Sequence, residues 1–174
     1  MEKDGILLVV SEENLLRHKR HLEEQVLRLS VLDSSDGRVG TRRMRQSFRE
    51  ERAVLEEDIR CHRRYFASFT ERSRLLPPYA PYSSAEGFLY DAFLDMKAAG
   101  NAFYFLWRDG RGRLCHGRSD AGLSLPSDGV LAVDLYEHAY YGDYGFDREG
   151  YIKTALSHLN LSLLDEKTRK GIAK

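Results

Sequence analysis

Residues 133–144, VDLYEHAYYGDY, place a carboxylate, Asp134, four positions before an imidazole, His138. Carboxylate oxygen and imidazole nitrogen are donor types that hold first-row transition metals. The apolar run VLAV precedes them, and Tyr140, Tyr141 and Tyr144 follow at once. Two more histidines sit on apolar faces upstream. His18 falls in a stripe with Leu15, Leu22, Val26 and Leu29, at spacings of three and four. His62 falls in a stripe with Leu55, Ile59, Phe66 and Phe69, and Asp58 lies one turn before it. Alone, each such histidine reads as a core residue bonded to a neighbour. Alone, Asp58 reads as a carboxylate at a cleft edge, paired with an arginine, because an unpaired buried one is costly. Cys61-His62 and Cys115-His116 could be drawn as a Cys2His2 zinc site. However, adjacent helical residues point about 100° apart, and the zinc-finger spacing is absent.

The elements that must carry these residues follow from the pattern. Ser11 offers an N-cap, with Glu12 and Glu13 at the positive end of a helix over 12–32. DSSDGRVG, residues 33–40, is a turn-rich linker to a second helix over 42–70, so the two form an antiparallel hairpin. Pro77, Pro78 and Pro81 break the helical pattern and mark a boundary between residues 1–76 and 77–174. Beyond it come a helix over 85–99 closed by Gly100, an aromatic strand over 102–109, and a turn at 110–112. A return strand over 113–119, a loop, a third strand over 130–135 and a helix over 148–164 follow. The charged tail reads as frayed or solvated. The expected fold is α+β: a helical hairpin, then a three-stranded antiparallel sheet flanked by helices.

A chain of 174 residues can bury a sizeable core without disulfides. Its 27 basic and 27 acidic residues balance, which argues against nucleic-acid binding driven by net charge. Two cysteines without CxxC spacing suggest a reducing compartment. The start carries no secretory pattern and no apolar run reaches a membrane span, so a soluble cytoplasmic protein is expected.

The C-terminal stretch resembles the signature of iron/manganese superoxide dismutases, Asp-x-Trp-Glu-His-Ala-Tyr-Tyr. Asp134, Glu137, His138, Ala139, Tyr140 and Tyr141 match it, and Tyr136 replaces the tryptophan. SEENLLRH places His18 at the family's first ligand position, and CHRRYF places His62 at the second. The resemblance therefore implies one Fe or Mn per chain, held by His18, His62, Asp134 and His138, where the two halves meet. Three neutral imidazoles and a carboxylate suit both the divalent and the trivalent state, which superoxide dismutation needs and zinc cannot supply. The resemblance further implies a homodimer in which Glu137 reaches the partner's ligand histidine and Tyr141 lies at the interface. It makes Tyr65 a wall of the active site.

Several family positions are altered. The gate tyrosine falls at Val26, and a helix-1 histidine that bonds across the dimer falls at Leu22. The glutamine that bonds metal-bound solvent falls at Asp58 by one route and at Ala121 by the other. Phe103 and Phe105 stand where tryptophans are common. Asp58 is the expected substitute for the glutamine. The reading is superoxide dismutation. The alternative is a superoxide-dismutase-like metal-binding or scaffold protein with little turnover.

Overall fold

The computed structural model describes residues 5–35, 41–126 and 130–165. Parts of the expected linker (36–40) and loop (127–129), the charged tail (166–174) and residues 1–4 lie outside the described residues.

The chain enters through a 3-10 turn, Gly5–Leu8, packed on the end of the hairpin. A Cβ on Gly5 would lie 2.1 Å from the Phe69 carbonyl oxygen, so only glycine allows this approach. Helix α1 (Glu12–Ser35) starts where Ser11 Oγ accepts the Asn14 N–H at 3.2 Å. Helix α2 (Arg42–Phe66) is capped by Thr41, whose Oγ1 accepts the Met44 N–H at 3.3 Å. Arg63 and Arg64 complement the dipole in its last turn. Leu55, Ile59, Cys61, His62 and Tyr65 form its buried face. Helix α2 ends earlier than its apolar pattern suggests. Ser68 leaves the helix to bond elsewhere, and Phe69 forms a bridge with Leu159.

Helix α3 (Ala85–Ala98) is capped by Ser84, which accepts the Gly87 N–H at 3.1 Å. The sheet follows: β1 (Phe103–Arg108), β2 (Leu114–Arg118) and β3 (Val130–Asp134), antiparallel in the order β2-β1-β3. Central β1 and outer β3 are buried along almost their whole length, so they read as continuous apolar runs without alternation. Phe103 pairs with Asp134 and Tyr104 with Val133, which sets Asp134 at the sheet's edge toward the hairpin. Helix α4 (Glu137–Tyr144) was not anticipated, and α5 (Arg148–His158) is shorter than expected. The architecture is the expected α+β arrangement.

Side-chain hydrogen bonds tie the hairpin to the C-terminal half. Ser68 Oγ accepts the Ala132 N–H at 2.9 Å and donates to the Arg64 carbonyl at 2.7 Å, joining β3 to the end of α2. Asn14 Nδ2 donates to the Ala139 carbonyl at 2.9 Å and to Asp143 Oδ2 at 3.1 Å, joining α1 to α4. Gly142 makes room for this, because a Cβ there would lie 3.2 Å from Asn14 Oδ1.

Candidate metal centre

Asp134 ends β3 and begins a tight turn. Its Oδ1 accepts the Tyr136 N–H at 2.9 Å, an Asx turn that launches α4. The Tyr151 hydroxyl donates to the Asp134 carbonyl at 2.7 Å. Both bonds fix the residue and leave Oδ2 free to face the hairpin. His18 Nε2 and His138 Nε2 each lie 3.1 Å from that oxygen, and His62 Nε2 lies 3.7 Å away. His62 Nε2 and His138 Nε2 are 3.4 Å apart. One donor atom from each of the four residues falls within 4.8 Å of the others.

These spacings are those of ligands around a shared ion. Two donors each about 2.1 Å from a metal, at angles between octahedral and tetrahedral, are about 3.0–3.4 Å apart. His62 Nδ1 lies 2.8 Å from the Asp58 carbonyl; donating there leaves a bare lone pair on Nε2. His18 Nε2 is buried and, despite its 3.1 Å approach to Asp134, lacks the alignment of a hydrogen bond. A buried nitrogen without a partner, aimed at a buried carboxylate, is satisfied by a cation between them. The residues present therefore fit one metal ion.

The electrostatics agree. Burial lowers the pKa of His18 and of His62, against the pull of Asp134, so both favour the neutral form that ligates metal. Burial alone would raise Asp134, but the His138 and His18 imidazoles beside it outweigh burial and hold the carboxyl at about 2. An ionised carboxylate among neutral imidazoles leaves a net negative pocket.

His18, His62 and Asp134 are fully buried, while the His138 side chain is 34% exposed. The opening of the site is therefore on the α4 side. Tyr65 and Phe66 pack against the His18 ring at 5.2 and 5.0 Å, and Phe103 meets His62 edge-on at 4.9 Å. Tyr136, at the tryptophan position, stacks on His138 at 5.6 Å. Tyr65 is wholly buried, has its hydroxyl 3.3 Å from that of Tyr151, and has its own pKa pushed well above the ordinary range by burial.

The other expected residues fall as follows. Glu137 and Tyr141 lie exposed on α4, and the Phe146 ring, 94% exposed, sits edge-on to Tyr141 at 5.5 Å. Asp58 is half-buried, with Oδ2 3.5 Å from His62 Nδ1, on the side of that ring away from Asp134. Val26 lines a groove between α1 and α2 with Leu29, Ala53 and Ile59. Ala121 is exposed in a 3-10 turn, Ser119–Ala121.

The zinc alternative finds no support in the site. Burial first, then Glu57 and Asp58, push the Cys61 thiol up to about 12, so no thiolate is offered. His116 instead bonds Asp91 and Tyr82 at 3.1 and 3.0 Å. Among the described residues, the candidate ligand clusters contain no cysteine.

One residue near the centre was missed from sequence. His21, half-buried, lies 4.7 Å from the His138 ring and 5.4 Å from the His62 ring. Its signal was present in the spacing His18-x-x-His21, which puts both rings on one helix face.

Residues 82–167 match the family model described as iron/manganese superoxide dismutases, C-terminal domain. The matched segment contains Asp134 and His138; His18 and His62 lie before it.

Proposed function

We propose that this chain, which belongs to the iron/manganese superoxide dismutase family, converts superoxide to oxygen and hydrogen peroxide with one Fe or Mn. The observation that carries the reading is the convergence of His18, His62, Asp134 and His138 on a point inside the molecule. The metal would supply the one-electron exchange, alternating between divalent and trivalent states.

The chain's own residues divide the work. His18, His62 and Asp134 hold the ion away from bulk water. His138 closes the set and borders the opening through which a small anion enters. Tyr65 forms the inner wall. Asp58 supplies an outer carboxylate where the family has a glutamine. Residues 1–76 and 77–174 act as two units that each provide half of the ligands.

A homodimer belongs to the same proposal. Glu137, Tyr141 and Phe146 form an exposed, partly aromatic face beside the exposed edge of His138. A symmetric contact there would cover it and bring Glu137 to the partner subunit's ligand set. Its test is mass by light scattering at micromolar concentration; a strictly monomeric mass would contradict the dimer. No helix among the described residues is long and apolar enough to cross a membrane. Cys61 and Cys115 are free thiols, in line with a cytoplasmic location.

The second reading is a metal-binding or scaffold protein with little turnover. It is favoured by Val26, which lines an outer groove where the family has its gate tyrosine, and by the lack of glutamine at positions 58 and 121. Metal content and a superoxide assay on one sample separate the two. Stoichiometric Fe or Mn with turnover supports the dismutase. Stoichiometric metal without turnover supports the second reading, and no metal defeats the dismutase and leaves only the scaffold form of the second.

A further inference from the structure

We propose that His21 forms the outer wall of the metal site and donates a hydrogen bond to a small anion seated there, with Asp58 orienting its ring. The inference rests on the metal-binding reading above and adds a residue and a binding role to it.

The rings at the centre carry the argument. The three ligand imidazoles are spaced 4.7–5.6 Å apart, centroid to centroid. His21 lies at 4.7 Å from His138 and 5.4 Å from His62, inside that same range. It is therefore packed into the site and not merely near it. Even so, it does not join the four-residue cluster. It groups instead with Asp58 and His62, one donor atom of each within 4.8 Å of the others. A ring at ligand-like spacing that stays outside the ligand set belongs to the layer beyond the metal.

The side it occupies is the open one. His21 contacts His138, the exposed ligand, and is itself half-buried. His18, one turn earlier on α1, takes the closed side against Tyr65 and Phe66. An anion entering past His138 therefore meets the His21 ring. That ring must present an N–H for the contact to be attractive. Asp58 offers a carboxylate oxygen within 4.8 Å of one ring nitrogen, and its charge can fix the ring's rotation.

This arrangement also redefines what Asp58 does. Its carboxylate lies 3.5 Å from Nδ1 of His62, whereas the ligand atoms converge at Nε2. From that position it acts on the open side through His21 and not by direct contact.

The test uses full-length protein loaded with iron. Azide serves as the probe anion, its binding followed by the iron–azide absorption band, with metal content measured on each sample. His21→Leu should keep its iron and bind azide about tenfold more weakly, the usual loss for one hydrogen bond to a charged group. His21→Gln, which keeps an N–H donor, should retain most of the affinity. His21→Glu, which offers an acceptor and a negative charge, should weaken azide more than His21→Leu. It also keeps the proposal testable if the leucine variant fails to fold. Asp58→Ala should give a smaller loss in the same direction. Unchanged azide affinity in His21→Leu, or equal affinity in the Gln and Glu variants, would show that the ring only packs. Loss of iron in His21→Leu would make it a ligand; either result overturns the proposal. Wild-type protein that takes up no iron overturns the underlying metal reading, a separate failure visible before any azide is added.

Discussion

The two halves of the centre are built by different means. Asp134 and His138 come from one short stretch, a strand end, an Asx turn and the first turn of α4. Their relation is fixed almost entirely by local chain geometry. His18 and His62 come from two separate helices, and only packing brings them together. Helix α1 is held to α4 by Asn14, and α2 to β3 by Ser68. The local half is a motif and the packed half is an assembly, so they should respond differently to damage at a distance and alike to damage at the ligands.

The largest expected effect is common to both. Asp134→Ala and His62→Ala should each lose most of the metal, more than about 100-fold in affinity, because three ligands hold a divalent ion poorly. Metal analysis after dialysis is the check. Full occupancy in either variant would show that one half suffices and that the comparison is mistaken. Removing the ion should also expose the dependence of the assembly on it. A metal present at 1,000 times its dissociation constant adds about 4 kcal/mol. Chelation should therefore lower the melting temperature by about 10 °C.

Acid should dissect the metal-free protein in two stages. The pKa values of His18 and His62 are lowered by folding, mainly through burial. Below pH 6.5 the unfolded chain takes up protons that the folded chain refuses, so stability falls as pH falls, by at most about 3 kcal/mol per pH unit for the two groups. Asp134 is held at about 2 against an ordinary value of 3.8. Its contribution, about 2 kcal/mol, is present above 3.8 and is lost as pH falls through about 2. Urea titrations of apo wild type and of His18→Gln between pH 5 and 8 would measure the first stage. A slope unaltered by the substitution would place the proton uptake elsewhere.

How much of this was legible depends on the same distinction. The helical hairpin and the three antiparallel strands could be read because the sequence carries local markers for them, whereas His18, His62, Asp134 and His138, which lie within 4.8 Å of one another, were singled out together only through the family resemblance. Ser11 caps where expected, and the aromatic run of β1 and the apolar run of β3 are unmistakable. Helix α4 was missed because it is short and contains Gly142, which costs about 1 kcal/mol of helix propensity. Its start depends on Asp134 and its glycine on the approach of Asn14, neither visible in the local pattern. Asp58 was expected on the metal side of His62, yet its carboxylate sits beside Nδ1, a matter of side-chain direction that residue spacing does not determine. His21 was passed over because a histidine on a charged surface helix looks ordinary until His62 and His138 arrive from elsewhere.

A smaller effect sharpens the comparison. Ser68→Ala leaves the Ala132 N–H, which it caps inside the protein, without that partner. A loss of about 1–3 kcal/mol is expected, with metal affinity falling alongside because β3 is no longer pinned to α2. Asn14→Ala should act the same way through α1 and α4. If metal affinity falls while the urea midpoint stays put, positioning and stability are separable at these ties.

The smallest effect is expected at the outer end of the hairpin. There Leu27, Val31, Met44 and Val54 are all exposed, in contrast to the buried Leu15, Leu55 and Ile59 nearer the sheet. The pairs that cross between the helices, Arg28 with Glu51 and Arg52 with Asp33, are solvent-exposed on both sides. Such pairs contribute about 0–1 kcal/mol each. Leu27→Ser or Val54→Thr should thus change stability by no more than about 0.5 kcal/mol and leave metal content untouched. Amide exchange gives the finer reading. Amides around Val31 and Met44 should open locally at low free energy, while those around Ile59 to Tyr65 should exchange only with global unfolding. If the outer amides are as protected as those of β1, something covers that end of the hairpin in solution. A protection pattern that depends on protein concentration would identify the cover as a second copy of the chain.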